Sequence, residues 1–439
     1  MQIRQVDCLI VKQSEKPTAR QRRVSMLIAA SGTIIEWFDF SLFFYLASSL
    51  SHTFYPNSRM SMLIVLATGA VGFVFRPLGA IVFGHIGDTR GRTTALITSA
   101  LLMAISMAGI ALMPGYVTIG VWGGIAVLAL RALAGFSVGA EYTGIMVYLM
   151  ETAKPERRGF AASWAAANSE VGALLAVGSA AIVTNMVGAE ALHDWGWRIP
   201  FAIGAVLAAG MIPLRRFMVE SPVAFESKDD RAPLTYTLQE QKLPIAVSFL
   251  ISTVGSATYF LTITYIPTYI ESVHGADSSS ALNLGVIAAI AAIVVTPFIG
   301  ILSDRIGRRW AFGTTLITVV VLAVPGYTLL GSKETATLAF AAVLLAIPAA
   351  AWSAIAAAAI PEQFAARGRF SGMALGYNVA TVLFGGLTPF VVSWLSDYFA
   401  DPLAPAYYAS IVTIIAGTPT VILLVDRVRD RQRSRSRAS

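Results

Sequence analysis

Long apolar stretches alternate along the chain with short clusters of charge, proline and glycine. Twelve such stretches lie near 26–50, 61–86, 93–113, 118–149, 159–184, 198–214, 244–270, 281–301, 310–327, 336–360, 370–395 and 406–424. A helix of about 20 mostly apolar residues crosses a bilayer, so the pattern predicts twelve membrane-spanning helices. The fourth stretch is the longest and predicts a tilted helix or one with a re-entrant end. The widest polar interruption, 215–243, carries Pro222, Pro233 and Pro244 and reads as a linker. It separates two six-helix groups, 26–214 and 244–424, flanked by polar tails at 1–25 and 425–439.

Composition agrees with this and excludes a water-soluble protein: of 439 residues 56% are hydrophobic and 13% charged. The fold class expected is therefore all-α and polytopic. The first apolar run outlasts a secretory h-region, so it stays in the protein as a helix. The net charge of +7 comes from basic clusters between the apolar runs, a topology signal and no sign of nucleic-acid binding. Alternate polar segments, with both tails, hold 27 Lys and Arg; the opposite segments hold only Arg59, Arg198 and Lys333. Basic residues resist translocation, which places both termini in the cytoplasm and requires an even number of spans. The six arginines from Arg427 to Arg437 read as an anchor for lipid headgroups.

One cysteine, Cys8, allows no intrachain disulfide, and four histidines offer no metal cluster. His52, His193 and His274 fall in loops on the side with few basic residues, and His85 beside a basic loop reads as a packing residue. No Gly-Lys pair occurs, so a phosphate-binding loop for a nucleotide-driven pump is excluded. No enzymatic chemistry, cofactor or metal is expected.

Two loops repeat. Gly84, Asp88, Gly91 and Arg92 recur as Gly300, Asp304, Gly307 and Arg308, each displaced by 216 residues. A looser echo sets Glu151 before Arg158-Gly159 and Glu362 before Arg367-Gly368. Duplication at about half the chain length points to two six-helix halves related by pseudo-symmetry. Carboxylates beside exposed helix ends suit a contact made in one conformation and broken in another, so Asp88, Arg92, Asp304 and Arg308 are expected as a cytoplasmic gate.

These Asp-x-x-Gly-Arg loops resemble the signature of the major facilitator superfamily, and further segments resemble its metabolite:proton symporter branch. They are Glu36-Trp37-Phe38-Asp39-Phe40, Arg76-Pro77-Leu78-Gly79, the run from Arg131 through Gly135 to Tyr142, Asp194 to Phe201, Glu220-Ser221-Pro222, and Gly385 to Pro389. The resemblance covers about residues 25–424 and departs at Ala140, where a second glycine is common before the glutamate. It implies secondary transport by alternating access, with solute held between the halves, in a bacterial cytoplasmic (inner) membrane and by a monomer.

Six ionisable residues lie well inside the expected spans: Glu36, Asp39, Arg76, Arg131, Glu141 and Glu170. Facing lipid, each would cost about 2.5–3.5 kcal/mol on the insertion scale, so they must face the interior. Counting helical rise puts all but Arg131 roughly 14–20 Å from the cytoplasmic boundary. Arg76 is expected to form a structural ion pair with Glu36 or Asp39, which share a helix face, leaving the other free to titrate. Glu36, Asp39, Glu141 and Glu170 are the candidate proton-coupling groups. Arg131 sits about 15 Å of rise farther in and is expected outside the layer, facing a central cavity as the ligand of an anionic solute. Gly135 and Gly139 form a small-xxx-small pair suited to helix packing.

The C-terminal half has no comparable charge, which assigns it shape selection. Thr258, Thr262, Tyr265 and Tyr269 recur on one face of the seventh span, and Tyr259, Trp352, Tyr377 and Asn378 are further candidates. Carboxylates that exchange protons beside an arginine point to proton symport of a small organic solute. Arg131, the run Tyr259 to Tyr269 and Gly385 to Pro389 resemble carriers of citrate-like acids, the leading expectation. The alternative is a zwitterion such as proline or betaine, because Glu141 to Gly144 and Pro405 to Tyr408 resemble those carriers. The cation would then need Glu141, Trp352 or Tyr265. A short arginine-rich tail in place of a long acidic extension argues against osmotic gating.

Overall fold

The computed structural model describes residues 19–56, 60–90, 92–139, 141–216, 233–365 and 369–424. The tails, residues 217–232 of the linker, Ala140 and the Arg367-Gly368 pair lie outside the described residues, as do the side chains of His85, Asp88 and Arg92.

Twelve long helices account for nearly all of it. In the first half they are α1 (Ala19–Tyr45, continued by Ala47–Phe54), α2 (Ser61–Arg90), α3 (Arg92–Leu112), α4 (Val121–Ser137, resuming as Glu141–Thr152), α5 (Arg158–Val187) and α6 (Arg198–Arg215). In the second half they are α7 (Lys242–Tyr259, ending as Ile266–His274), α8 (Ser278–Ile306), α9 (Arg308–Leu329), α10 (Thr335–Gln363), α11 (Arg369–Thr381, ending as Thr388–Phe399) and α12 (Ala404–Val412, ending as Thr418–Leu423). Eleven are long and apolar enough to cross a membrane; α1, which carries Glu36 and Asp39, completes the set. Large apolar side chains such as Leu78, Trp122, Phe298 and Val321 stay exposed on the outside, as a lipid-facing surface requires.

Helix pairing repeats with an offset of six. In the first half α1 packs on α5, α2 on α4 and α3 on α6; in the second, α7 packs on α11, α8 on α10 and α9 on α12. The halves meet where α5 lies along α8, and the equivalent contact of α11 with α2 closes the opposite side. This is a two-bundle, pseudo-symmetric all-α membrane fold.

Local sequence explains the irregularities. Wider π-helical turns occupy Leu192–Gly196, Phe260–Thr264, Val382–Gly386 and Thr413–Gly417. The residues four before Pro200, Pro267, Pro389 and Pro419 are Gly196, Ile263, Gly385 and Ile415, each inside one of these turns. Proline has no N–H for that carbonyl and its ring crowds it, so the preceding turn widens. On the glycine-rich faces of α2 and α4, a Cβ at Gly135 or Gly139 would collide with the carbonyl oxygens of Gly72 or Arg76. Glycine is what brings these two backbones into contact, and with them Arg76 and Arg131.

Candidate substrate and proton site

α1 presents Glu36 and Asp39 one turn apart toward α2 and α4. Glu36 is ion-paired with Arg76, both fully buried. Asp39 is not free: Arg131 Nη1 donates to its Oδ2 at 2.7 Å, and Arg131 is 0% exposed. The expectation that Arg131 lies outside the charged layer is therefore corrected. Helical rise locates a backbone, but a guanidinium on its long stem reaches several ångströms along the helix axis, and Asp39 extends toward it one turn beyond Glu36. Both guanidiniums rest on aromatic faces: Arg131 lies 4.8 Å from the centres of Phe40 and Phe43, and Arg76 lies 4.5 Å from Phe40 and 4.9 Å from Phe73. The contacts leave capacity unused. Glu36 Oε2, Asp39 Oδ1, Arg76 Nε, and Arg131 Nε and Nη2 are buried without hydrogen-bond partners.

Glu141 is held by Arg215, a buried residue at the end of α6 that sequence reasoning placed at the start of the linker. Arg215 also donates to the Leu96 carbonyl. The apolar run ended one residue too early for its charge to register as internal.

Glu170 on α5 is 0% exposed, and neither carboxylate oxygen has a hydrogen-bond partner. It lies close enough to Tyr45, Tyr142 and Tyr259 to act electrostatically on their hydroxyls. Trp37 stands among the same rings, 5.7 Å from Tyr142 and 4.9 Å from Tyr259, and its indole N–H also has no partner. Tyr377 extends the row, 5.3 Å from Tyr142 and beside Arg76. The aromatic row thus draws on α1, α4, α7 and α11, two helices from each half.

Of the residues expected from the C-terminal half, Tyr259 joins this row and Asn378 spans the halves, donating to the Gly139 carbonyl at 3.2 Å. The others lie elsewhere. Thr262 bonds to its own helix at the Thr258 carbonyl, 2.8 Å away. Trp352 Nε1 donates to Ile251 O at 2.8 Å and its ring packs on Phe312, within the second bundle. Tyr265 packs against Tyr269, which bonds to Pro402 O at 2.7 Å. A helix-wheel count gave Thr262 and Tyr265 the right helix, but the π turn at Phe260–Thr264 shifts the face beyond it.

The halves are closed above and below this layer. At the end bearing the repeated loops, Asp304 accepts from the Gly159 and Phe160 amides at 2.7 and 2.9 Å, satisfying N–H groups left open by the first turn of α5. Arg308 donates to Asp304 at 2.9 Å and grips both Glu362 oxygens at 3.2 Å, while Arg369 pairs with Glu151 across the halves. Gly307, with φ +89°, turns the chain directly from α8 into α9. At the other end, Thr268 bonds to Phe44 O at 3.0 Å, Tyr45 to Ile263 O at 3.2 Å, and His193 lies 3.9 Å from Glu271. The conformation is occluded.

Comparison with known proteins agrees with this architecture. The sequence profile of a family described as "Sugar (and other) transporter" matches residues 25–241, and that of the Major Facilitator Superfamily matches 248–439. A proline/betaine transporter of Salmonella typhimurium is 33% identical over 409 residues, 90% of this chain and 81% of that protein. The chain belongs to the major facilitator superfamily. A citrate-proton symporter of Klebsiella pneumoniae is 33% identical over 413 residues, covering 92% of this chain and 93% of its own. Among solved superfamily structures, a D-xylose-proton symporter superposes with a TM-score of 0.71 at 18% identity, covering 92% of this chain and 98% of that one. A partially occluded, inward-open form of the xylose transporter XylE from E. coli gives 0.73 at 16% identity, covering 93% and 99%. The protein is thus a multi-pass membrane transporter and not an enzyme.

Proposed function

We propose that the protein is a proton-coupled symporter that takes up a small zwitterion of the proline or betaine kind by alternating access. The observation that carries this is the charge balance of the buried layer. Arg76, Arg131 and Arg215 each face one acid, Glu36, Asp39 and Glu141, and Glu170 is left over. A surplus acid, negative whenever it gives up its proton, opposes a di- or tricarboxylate and favours a solute that brings a cation with its carboxylate. The proline/betaine transporters among the relatives support the same order, so the organic acid expected from sequence gives way to its alternative. The citrate-proton symporter keeps the organic acid as the second reading.

Coupling follows from competition for Arg131. A proton on Asp39 removes the charge that holds the guanidinium, freeing it for a solute carboxylate; a bound carboxylate in turn favours protonation of Asp39. Each ligand strengthens the other, the linkage that symport needs. Glu36 and Arg76 act as the fixed pair beside it. The twelve helices of one chain enclose the site, and the monomer is the transporting unit. The distribution of Lys and Arg supports cytoplasmic termini in a bacterial inner membrane, with the Asp304 and Arg308 contacts as the cytoplasmic gate.

In proteoliposomes with an inward proton gradient, labelled proline or glycine betaine should accumulate and an uncoupler should abolish the accumulation. Arg131→Ala should abolish uptake while still inserting into the membrane. Accumulation of citrate without either zwitterion would replace this reading with the second one.

A further inference from the structure

The layer contains one acid that the coupling scheme does not use. Glu170 has no counter-charge and no hydrogen bond, at a depth where water does not reach it. An ionised carboxylate in that position costs several kcal/mol unless a cation or a proton compensates it. Around it stand Trp37, Tyr142 and Tyr259, with ring centres 4.9 to 5.7 Å apart along the row and a further Trp37 N–H left unbonded. Aromatic faces are the surfaces on which diffuse organic cations are held, and such contacts strengthen when desolvated. Lysine or arginine would compensate Glu170 permanently; none of the described residues does so, so the compensation is exchangeable: a proton in the empty site, replaced by a cation that arrives with a ligand.

We infer that Glu170, Trp37, Tyr142 and Tyr259 form the half-site for the cationic end of the solute, which selects quaternary and secondary ammonium groups. This rests on the zwitterion symport proposed above and assigns the two ends of the solute. Its carboxylate goes to Arg131 on α4 and its nitrogen to the row between α1, α4, α5 and α7. The site spans both halves, since Tyr259 belongs to the second bundle and the other three residues to the first. A bound cation therefore bridges the bundles, and its binding is coupled to their closure. The cation partners considered from sequence do not serve here. Glu141 is taken by Arg215, Trp352 bonds inside the second bundle and Tyr265 stacks toward the opposite end.

The test compares glycine betaine with 3,3-dimethylbutanoate, which has the same shape with carbon in place of the charged nitrogen. Binding is measured by thermal shift and calorimetry on purified full-length protein. The wild type should bind glycine betaine at least about tenfold more tightly than the isostere. Glu170→Gln, which keeps the side-chain volume, should collapse that ratio toward one, and Trp37→Phe should reduce it several-fold. A Glu170→Gln protein with a melting transition and an unaltered ratio overturns the half-site. If that variant does not fold, an unaltered ratio in Trp37→Phe overturns it instead. A wild type that accumulates neither zwitterion removes the symport reading itself, whereas accumulation with no preference for the charged nitrogen removes only the cation half-site.

Discussion

Asp39 and Arg131 come from different helices and 92 residues apart, yet they meet at 2.7 Å, and in the proposed coupling this contact is the switch. The residue types were legible in the sequence because ionisable groups are too costly to scatter through a membrane helix. Their partners were not. Rise per residue orders α-carbons by depth, but it does not say how far a guanidinium extends or which side of a neighbour it meets. Arg131 was therefore set apart from an acid that it touches, and Glu170, expected among several equivalent acids, is the one left without a base. If Asp39 carries the coupled proton, Asp39→Asn mimics its protonated form permanently. Solute binding by that variant should persist and lose its pH dependence, with exchange across proteoliposomes retained and gradient-driven accumulation lost. Accumulation by Asp39→Asn at the wild-type level would move the proton elsewhere.

Helices were read well from the apolar pattern, and their ends and breaks less well. α1 starts at Ala19 and α8 runs from Ser278 to Ile306, several residues beyond the expected limits, because polar turns extend a helix without adding to its apolar run. Helix α4 pauses after Ser137 and resumes at Glu141, so the expected long fourth span comes as two helical segments. Proline is an incomplete guide to the widened turns: the residue four before each of Pro200, Pro267, Pro389 and Pro419 falls inside one, whereas Pro77, Pro213, Pro297, Pro325, Pro348 and Pro361 lie in helices that keep the α turn. The α2 and α4 contact was also visible as Gly135 and Gly139, though not the identity of the opposing helix. Gly135→Leu should push α4 from α2 and dislodge both arginines, at a cost of about 1–3 kcal/mol or more from overpacking. The measurable result is a lower melting temperature and lost uptake, while Gly210→Leu, at a position with open space, should leave both near wild type.

Across the whole molecule, the duplicated loops anticipated the two-bundle plan, and the recurring helix pairs give it physical form. The opposite end carries a pH-dependent element that no repeat announced. Burial holds the His193 imidazole below its usual 6.5, and His52 pushes the same way, against the opposing pulls of Glu271 and Asp194. A histidine with a lower pKa in the closed form binds fewer protons there than when hydrated. Closure at that end is thus strongest above about pH 6.5 and weakens as pH falls below it. Labelling of Ser279→Cys from outside should accelerate between about pH 7.5 and pH 5.5, and His193→Gln should flatten the profile.

The lock at the end of the repeated loops has a different character, because two of its donors belong to the main chain. Short of proline, no replacement at 159 or 160 deletes an amide N–H, so the latch survives most drift at those positions in every respect but one, which is bulk. A methyl group at Gly159 would sit 2.5 Å from Arg308 Nη1, 2.6 Å from the Gly300 carbonyl and 2.7 Å from Asp304. Gly159→Ala should therefore act as a wedge, parting the halves at this end through a single carbon atom. An engineer seeking to trap that opened state for study would need no other change.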